Sequence, residues 1–256
     1  MLKHLFKFFL NFLPRPFLIR LSYAISPVLA FFLKGTNYTD PIDGKSFKTF
    51  LPYGYGNQRN NVLSPSTLSL ERHRLLWLYL NNETNFFTDY HKVLHFAPEQ
   101  AFYKRFKNMK NLDYITTDLN SPLADVKADI CNLPFKDNEF DVILCNHVLE
   151  HIPDDTKAMQ ELYRVLKPGG FGVFQIPQDL TRELTFEDNT ITDKKERAKI
   201  FGQYDHVSIY GKDYFNKLRS VGFNVDEVDY TASLSEDMIK KYCLAKGEII
   251  PVVFKS

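Results

Sequence analysis

Glycine is missing where a nucleotide-binding chain needs it. In this 256-residue chain the stretch from His91 to Gly170 opens with the strand-like run Lys92-Val93-Leu94-His95-Phe96, and the turn after it reads Ala97-Pro98-Glu99 with no G-x-G. A dinucleotide site uses such glycines to bring backbone N–H groups up to a pyrophosphate. Their absence argues against a nicotinamide enzyme and is compatible with a nucleoside ligand that carries no phosphate. Cysteine is also scarce. Cys131, Cys145 and Cys243 are odd in number and lack metal or redox spacing, which fits a reduced cytoplasmic interior. No apolar run is both long and unbroken, because Phe17 to Leu33 is interrupted by Arg20, Ser22, Ser26 and Pro27. A spanning helix is therefore not expected, and no small-residue cleavage site marks a signal peptide. Acidic residues are absent from residues 1–39, which carry Lys3, Lys7, Arg15, Arg20 and Lys34, so the rest of this +1 chain is net −4. A net charge so near zero gives no reason to expect a nucleic-acid partner. Internal repeats and low-complexity tracts are lacking.

What is present is a succession of apolar runs, each ending in a polar or turn residue. After the first come Asp113 to Thr117 ending at Asp118, Asp125 to Ala128 ending at Asp129-Ile130, and Phe140 to Cys145 ending at Asn146-His147. Helical segments lie between them. Glu99 to Met109 follows Pro98, and Asp154-Asp155-Thr156 can cap a helix running to Leu166, before the stop at Lys167-Pro168-Gly169-Gly170 and a fifth run, Phe171 to Ile176. Near-continuous apolar strands alternating with helices predict a doubly wound α/β domain, its parallel sheet covered on both faces. Ligands bind such sheets at the carboxyl ends of the strands, so these polar strand ends would line one crevice. Further on, a helix from Gly211 to Val221, a strand from Phe223 to Tyr230, a helical or loop region from Ser233 to Leu244 and a strand from Ile249 to Phe254 complete the chain.

These runs, with Asn132-Leu133-Pro134-Phe135, His147-Val148-Leu149-Glu150-His151-Ile152 and Leu166-Lys167-Pro168-Gly169-Gly170, resemble the class I S-adenosylmethionine-dependent methyltransferases of type 11-like domain over about residues 90 to 230. The resemblance implies a Rossmann-like, mostly parallel seven-stranded sheet with an antiparallel edge, and S-adenosyl-L-methionine as cofactor. It departs from the family where His95-Phe96-Ala97-Pro98-Glu99 replaces an acidic residue and a G-x-G turn. It also implies cofactor contacts at His95, Ala97, Glu99, Asp118, Leu119, Asp129, Ile130 and Asn146. A carboxylate at Asp118 can accept from both ribose hydroxyls, or it can close a turn. Asp129 would meet the adenine amino group with Ile130 against the ring, or be a turn residue. Glu99 would pair with the methionyl amino group or favour the helix dipole.

Methyl transfer to a hydroxyl gains from a base of near-neutral pKa, and histidine is the natural one. His147 and His151 stand four apart with Glu150 beside them, so on a helical turn they share a face; alternatively Glu150 caps and His151 packs. A lid-like insertion at about 179–210 supplies His206, which Asp205 can orient or merely precede in a turn. His206 and His151 are the expected bases, with His147 a third candidate.

Ahead of the domain, residues 1–37 form a basic, apolar segment. It reads as interfacial, with residues 1–34 touching the membrane, or as a helical hairpin packed on the domain. Residues 38–68 form an irregular module in which Asp40-Pro41-Ile42-Asp43-Gly44 and Ser64-Pro65-Ser66-Thr67 resemble the two knuckles of a zinc ribbon that precedes some of these methyltransferases. Asp40, Asp43, Ser64 and Thr67 stand where that ribbon has thiolates, so its outline is expected without a metal. A helix from Thr67 to Leu80 is predicted, capped by Thr67, with Arg72, His73 and Arg74 on its wet face; the zinc-ribbon relatives have a similar string, which makes Arg72 and His73 candidate substrate contacts, and Asp205 in the insertion is a third candidate. The expected whole is a methyltransferase domain over 69–256, cytoplasmic and at most peripheral on the inner face of the membrane. Its acceptor would be small, lipid-linked or a glycan, and the alternative is a membrane-associated adaptor that keeps the fold without catalysis.

Overall fold

The structure, a computed structural model, describes residues 15–54 and 58–256; the basic residues 1–14 lie outside these. The chain divides into two compact units, one built from residues up to Phe87 with Glu99–Arg105 and Tyr230–Glu248, the other from Thr88–Pro98, Phe106–Asp229 and Ile249–Ser256.

The second unit holds a seven-stranded sheet. Its strands in chain order are β1 (His91–Phe96), β2 (Leu112–Asp118), β3 (Val126–Lys127), β4 (Phe140–Cys145), β5 (Leu166–Val173), β6 (Asn224–Val228) and β7 (Ile250–Phe254). They lie side by side as β6-β7-β5-β4-β1-β2-β3. Strands β1 to β5 pair in parallel, and β7 runs antiparallel to both β5 and β6. This is the expected doubly wound sheet with an antiparallel edge. The central strands β1 and β4, in register at Val93 with Val142, are buried except at Lys92 and Asp141, as a sheet covered on both faces requires. Helix α4 (Asp155–Val165) is capped by Asp154 Oδ1, which accepts the Lys157 N–H at 2.9 Å. Ala158, Met159, Leu162 and Val165 on this helix, at spacings of one, three and three residues, join Leu94, Ile143 and Phe174 in the core. One difference from the sequence reading is local: the segment Leu166–Gly170, expected as a helix stop, already belongs to β5. The pairing of β4 with β5 shifts between Phe140 and Val142, and a Cβ on Gly170 would stand 2.7 Å from the Asp141 carbonyl, so only glycine permits the irregular approach.

The first unit contains α1 (Arg15–Phe32), two β-hairpins, α2 (Glu71–Glu83) and a short helix over Glu236–Lys241. No described helix is long and apolar enough to cross a membrane. The hairpins pair Lys34–Thr39 with Ser46–Phe47 and Leu51–Tyr53 with Arg59–Leu63. The turns after their knuckle positions share one bonding pattern. The Gly44 N–H donates to the Asp40 carbonyl and the Asp40 N–H to Lys45; the Leu68 N–H donates to the Ser64 carbonyl and the Ser64 N–H to Ser69. Gly44 and Leu68 are both left-handed, at φ 71° and 59°. The fully buried Asp40 then joins the turns, its Oδ2 accepting from Thr67 Oγ1 at 2.5 Å and Ser69 Oγ at 3.1 Å.

This corrects two expectations. Thr67 does not cap a helix, because its hydroxyl is bound to Asp40 and Leu68 turns left-handed; α2 starts at Glu71, with His73 Nδ1 accepting the Leu70 N–H. Nor is Arg74 on a wet face. It is fully buried, and its guanidinium donates to the carbonyls of Val62, Ser69, Tyr242 and Cys243. Burial lowers its pKa, an effect that the nearby Asp40 opposes.

Candidate active site

Three strand ends converge at the carboxyl edge of the parallel sheet. The β1 end turns at Ala97, whose φ of 45° is a conformation normally left to glycine, and its N–H donates to the Thr117 carbonyl at 2.9 Å. The chain therefore keeps a glycine-like turn without the glycine, at a strain cost of about 1–3 kcal/mol. The β4 end turns at His147, also left-handed at φ 54°, whose N–H donates to the Gln175 carbonyl at 2.7 Å. Strained backbone thus recurs at the ends of two adjacent strands.

At the β2 end, Asp118 is half-buried. Its Oδ1 accepts the N–H groups of Asn120 and Ser121 at 2.6 and 2.5 Å, so it closes a turn, while its Oδ2 has no partner among the described residues. Asp129 likewise accepts from the Cys131 N–H at 2.9 Å and is exposed. Leu119 is 62% exposed, whereas Ile130 is buried in the core. Asn146 is buried, with Oδ1 3.4 Å from the Gln175 N–H. Glu99 offers its carbonyl to the N–H groups of Phe102 and Tyr103 at the start of α3 (Gln100–Lys107). The imidazole of His95 is not at the crevice. It is fully buried with Nδ1 2.7 Å from the Tyr114 hydroxyl and its ring packed on Phe106 and Tyr114, which leaves only its backbone to shape the turn. Of the proposed substrate contacts outside this unit, Arg72 is half-buried and His73 is buried on α2.

Beyond β4 the histidines gather. Leu149–His151 form a single 3₁₀ turn that His147 precedes, so His147 and His151 do not share a helical face as expected. His147 instead meets Glu150 through Nδ1, 3.3 Å from Oε1. The insertion closes over this turn. Its helix α5 (Lys194–Ile200) is capped by Asp193, its Phe186–Glu187 pairs antiparallel with Ser208–Ile209, and the Val207 N–H donates to the Glu150 carbonyl at 2.9 Å. The Tyr210 hydroxyl fastens its far end by donating to Asp155 at 2.8 Å, and burial raises the pKa of that hydroxyl. The insertion brings His206 against His151, ring centroids 4.7 Å apart and edge to face, and the Asp205 carbonyl within 3.1 Å of His151 Nδ1. Burial pulls the His206 imidazole below the usual histidine range, so the ring is neutral near pH 7. His206 also lines a 320 Å³ cavity with Pro177, Phe201, Gln203 and Ser208. The sequence placed Glu150 beside His147 and His151; what it did not show is that this carboxylate, 1% exposed, stands within 4.8 Å of ligating atoms of both His151 and His206.

Residues 86–174 match the family described as "Methyltransferase domain". The chain is 34% identical over 116 residues to a 2-phytyl-1,4-naphtoquinone methyltransferase of Nostoc punctiforme, covering 40% of this chain and 50% of that protein. It is 42% identical over 67 residues to a demethylmenaquinone methyltransferase of Staphylococcus carnosus, covering 26% of this chain and 28% of that one. The chain thus spans half or less of these curated relatives. Among solved structures, a SAM-dependent methyltransferase from Archaeoglobus fulgidus superposes with a TM-score of 0.47 at 14% identity, over 71% of this chain and 93% of that one. The segment 86–174, which holds Asp118, His147, Glu150 and His151, is accordingly matched to a methyltransferase domain.

Proposed function

We propose that the chain transfers a methyl group from S-adenosylmethionine to a small-molecule or lipid-linked acceptor seated beside His206. One observation carries this reading: an unpartnered carboxylate oxygen on Asp118 and a cluster of histidines stand at the carboxyl ends of strands of one parallel sheet. The residues present suit the cofactor. Asp118 Oδ2 is available for ribose hydroxyls, Asp129 is exposed at its own turn, and the left-handed Ala97 gives the glycine-like bend that the missing G-x-G would have made. When bound, S-adenosylmethionine supplies a methyl group on a sulfonium. The chain's own work is to orient the acceptor, which alone can lower a barrier by about 7–11 kcal/mol, and to handle the proton that the acceptor atom gives up. His206, neutral and half of an imidazole pair with His151, is placed to take that proton.

The relatives named as quinone methyltransferases support a small acceptor. A lipid-linked one is supported by α1, where Phe17, Leu21, Ile25, Val28 and Phe32 recur every three or four residues, each 38–71% exposed, beside the basic charges of the same segment. The test is label transfer from methyl-labelled S-adenosylmethionine into extracts split into lipid, small polar and polymer fractions. Label in the lipid or small-molecule fraction is expected. Labelling of polymer alone, or of nothing by a folded protein, would refute it.

A further inference from the structure

We propose that Glu150, His151 and His206 form a binding site for one divalent metal ion of the zinc class, beside the 320 Å³ cavity. Each residue offers a ligating atom, and these atoms lie within 4.8 Å of one another. Two imidazoles and one carboxylate are a donor set that zinc accepts with a position left open for a further ligand.

Three independent observations support an ion there. First, Glu150 is 1% exposed, its Oε1 meets only His147 at 3.3 Å, and its Oε2 has no hydrogen-bond partner. A carboxylate in that condition lacks the compensation that buried charge requires. Second, His151 is already oriented by a backbone carbonyl, its Nδ1 lying 3.1 Å from that of Asp205. A ring N–H held on a carbonyl fixes the tautomer and leaves the other nitrogen's lone pair outward, as metal-bound histidines are commonly held. Third, the atom now facing His206 Nε2 is the amide nitrogen of Gln203, 2.9 Å away on an exposed residue that can swing aside.

This inference rests on the acceptor-side reading of the cluster; with an ion held, the lone pairs of the two rings bind metal and the acceptor's proton passes to bulk water, whereas without it His206 takes that proton. An ion beside the cavity would attract an acceptor oxygen and make its O–H more acidic. It departs from the expectation that the chain holds no metal; nothing in the spacing joins His206 to a pair 55 residues earlier.

The purified full chain, stripped with chelator, is titrated with zinc chloride by calorimetry and with cobalt chloride by visible absorption, beside His206→Ala and Glu150→Gln. One equivalent per chain is expected, with visible cobalt absorption intensified on binding if the site is four-coordinate. Affinity should fall by more than the roughly 10–100-fold that losing an outer-shell partner costs. Should Glu150→Gln fail to fold, His151→Ala at a part-exposed ring replaces it. No binding by the folded wild type, or equal binding by the variants, overturns the site. S-adenosylhomocysteine is titrated in parallel: if it binds and zinc does not, this inference alone fails, and if zinc binds and it does not, the proposed function fails instead.

Discussion

Two buried polar clusters, one in each unit, differ in how completely they satisfy themselves. Around Asp40, Thr67 and Ser69 donate to the carboxylate and Arg74 donates to four backbone carbonyls, so the charges and the turn ends all find partners inside the fold. Around Glu150 the partners run out: Oε2 of Glu150, Nε2 of His147 and Oδ1 of Asp205 are buried without a hydrogen bond. A closed network rigidifies a structure, whereas an open one costs stability and persists where something else completes it. The contrast separates a closed structural knot from an open cluster, the one at which the metal is proposed to bind.

The comparison breaks most visibly at Arg74. Arg74→Met leaves four carbonyls and the buried Asp40 without their cation, and a loss of about 3–5 kcal/mol in urea denaturation is expected, with S-adenosylhomocysteine affinity of the folded fraction unchanged. Glu150→Gln tests the opposite pole. It removes a buried charge that has an orphan oxygen, so stability should hold or rise by about 1 kcal/mol while methyl transfer falls roughly 100-fold or more. A loss of several kcal/mol on this change would show that Glu150 is structural after all. Thr67→Val deletes one hydrogen bond to the Asp40 carboxylate and should cost about 1.5–3 kcal/mol by the same denaturation, less than Arg74→Met.

How far the sequence carried the fold follows from which interactions are local. The strands β1, β2 and β4 were readable because a strand buried on both faces must be apolar along its length, and β4 matches its expected bounds of Phe140 to Cys145. The position of Asp118 at a strand end was readable, as was the alternative that it closes a turn, which its bonds to Asn120 and Ser121 do. Arg74 was not, because its partners at Val62, Ser69, Tyr242 and Cys243 come from segments that only the fold assembles. His95 was misplaced for a related reason: pattern gives its place on the strand, but the Tyr114 hydroxyl that draws its ring inward lies on the neighbouring strand. The His147–His151 spacing suggested a helical face, and the structure gives a left-handed turn and one 3₁₀ turn instead, because the β4 end must bend toward Gln175. His206 was placed by the sequence in a lid-like insertion; its contact with His151 needed the insertion's hydrogen bond from Val207 to Glu150 to be seen.

The most direct test of the cofactor site is calorimetric titration of the full chain with S-adenosylmethionine and S-adenosylhomocysteine, beside Asp118→Ala. Micromolar binding at one site, abolished by the substitution in a protein of unchanged fold, is the expected result. A folded wild type that binds neither ligand would contradict it and favour an adaptor that keeps the methyltransferase fold without its cofactor.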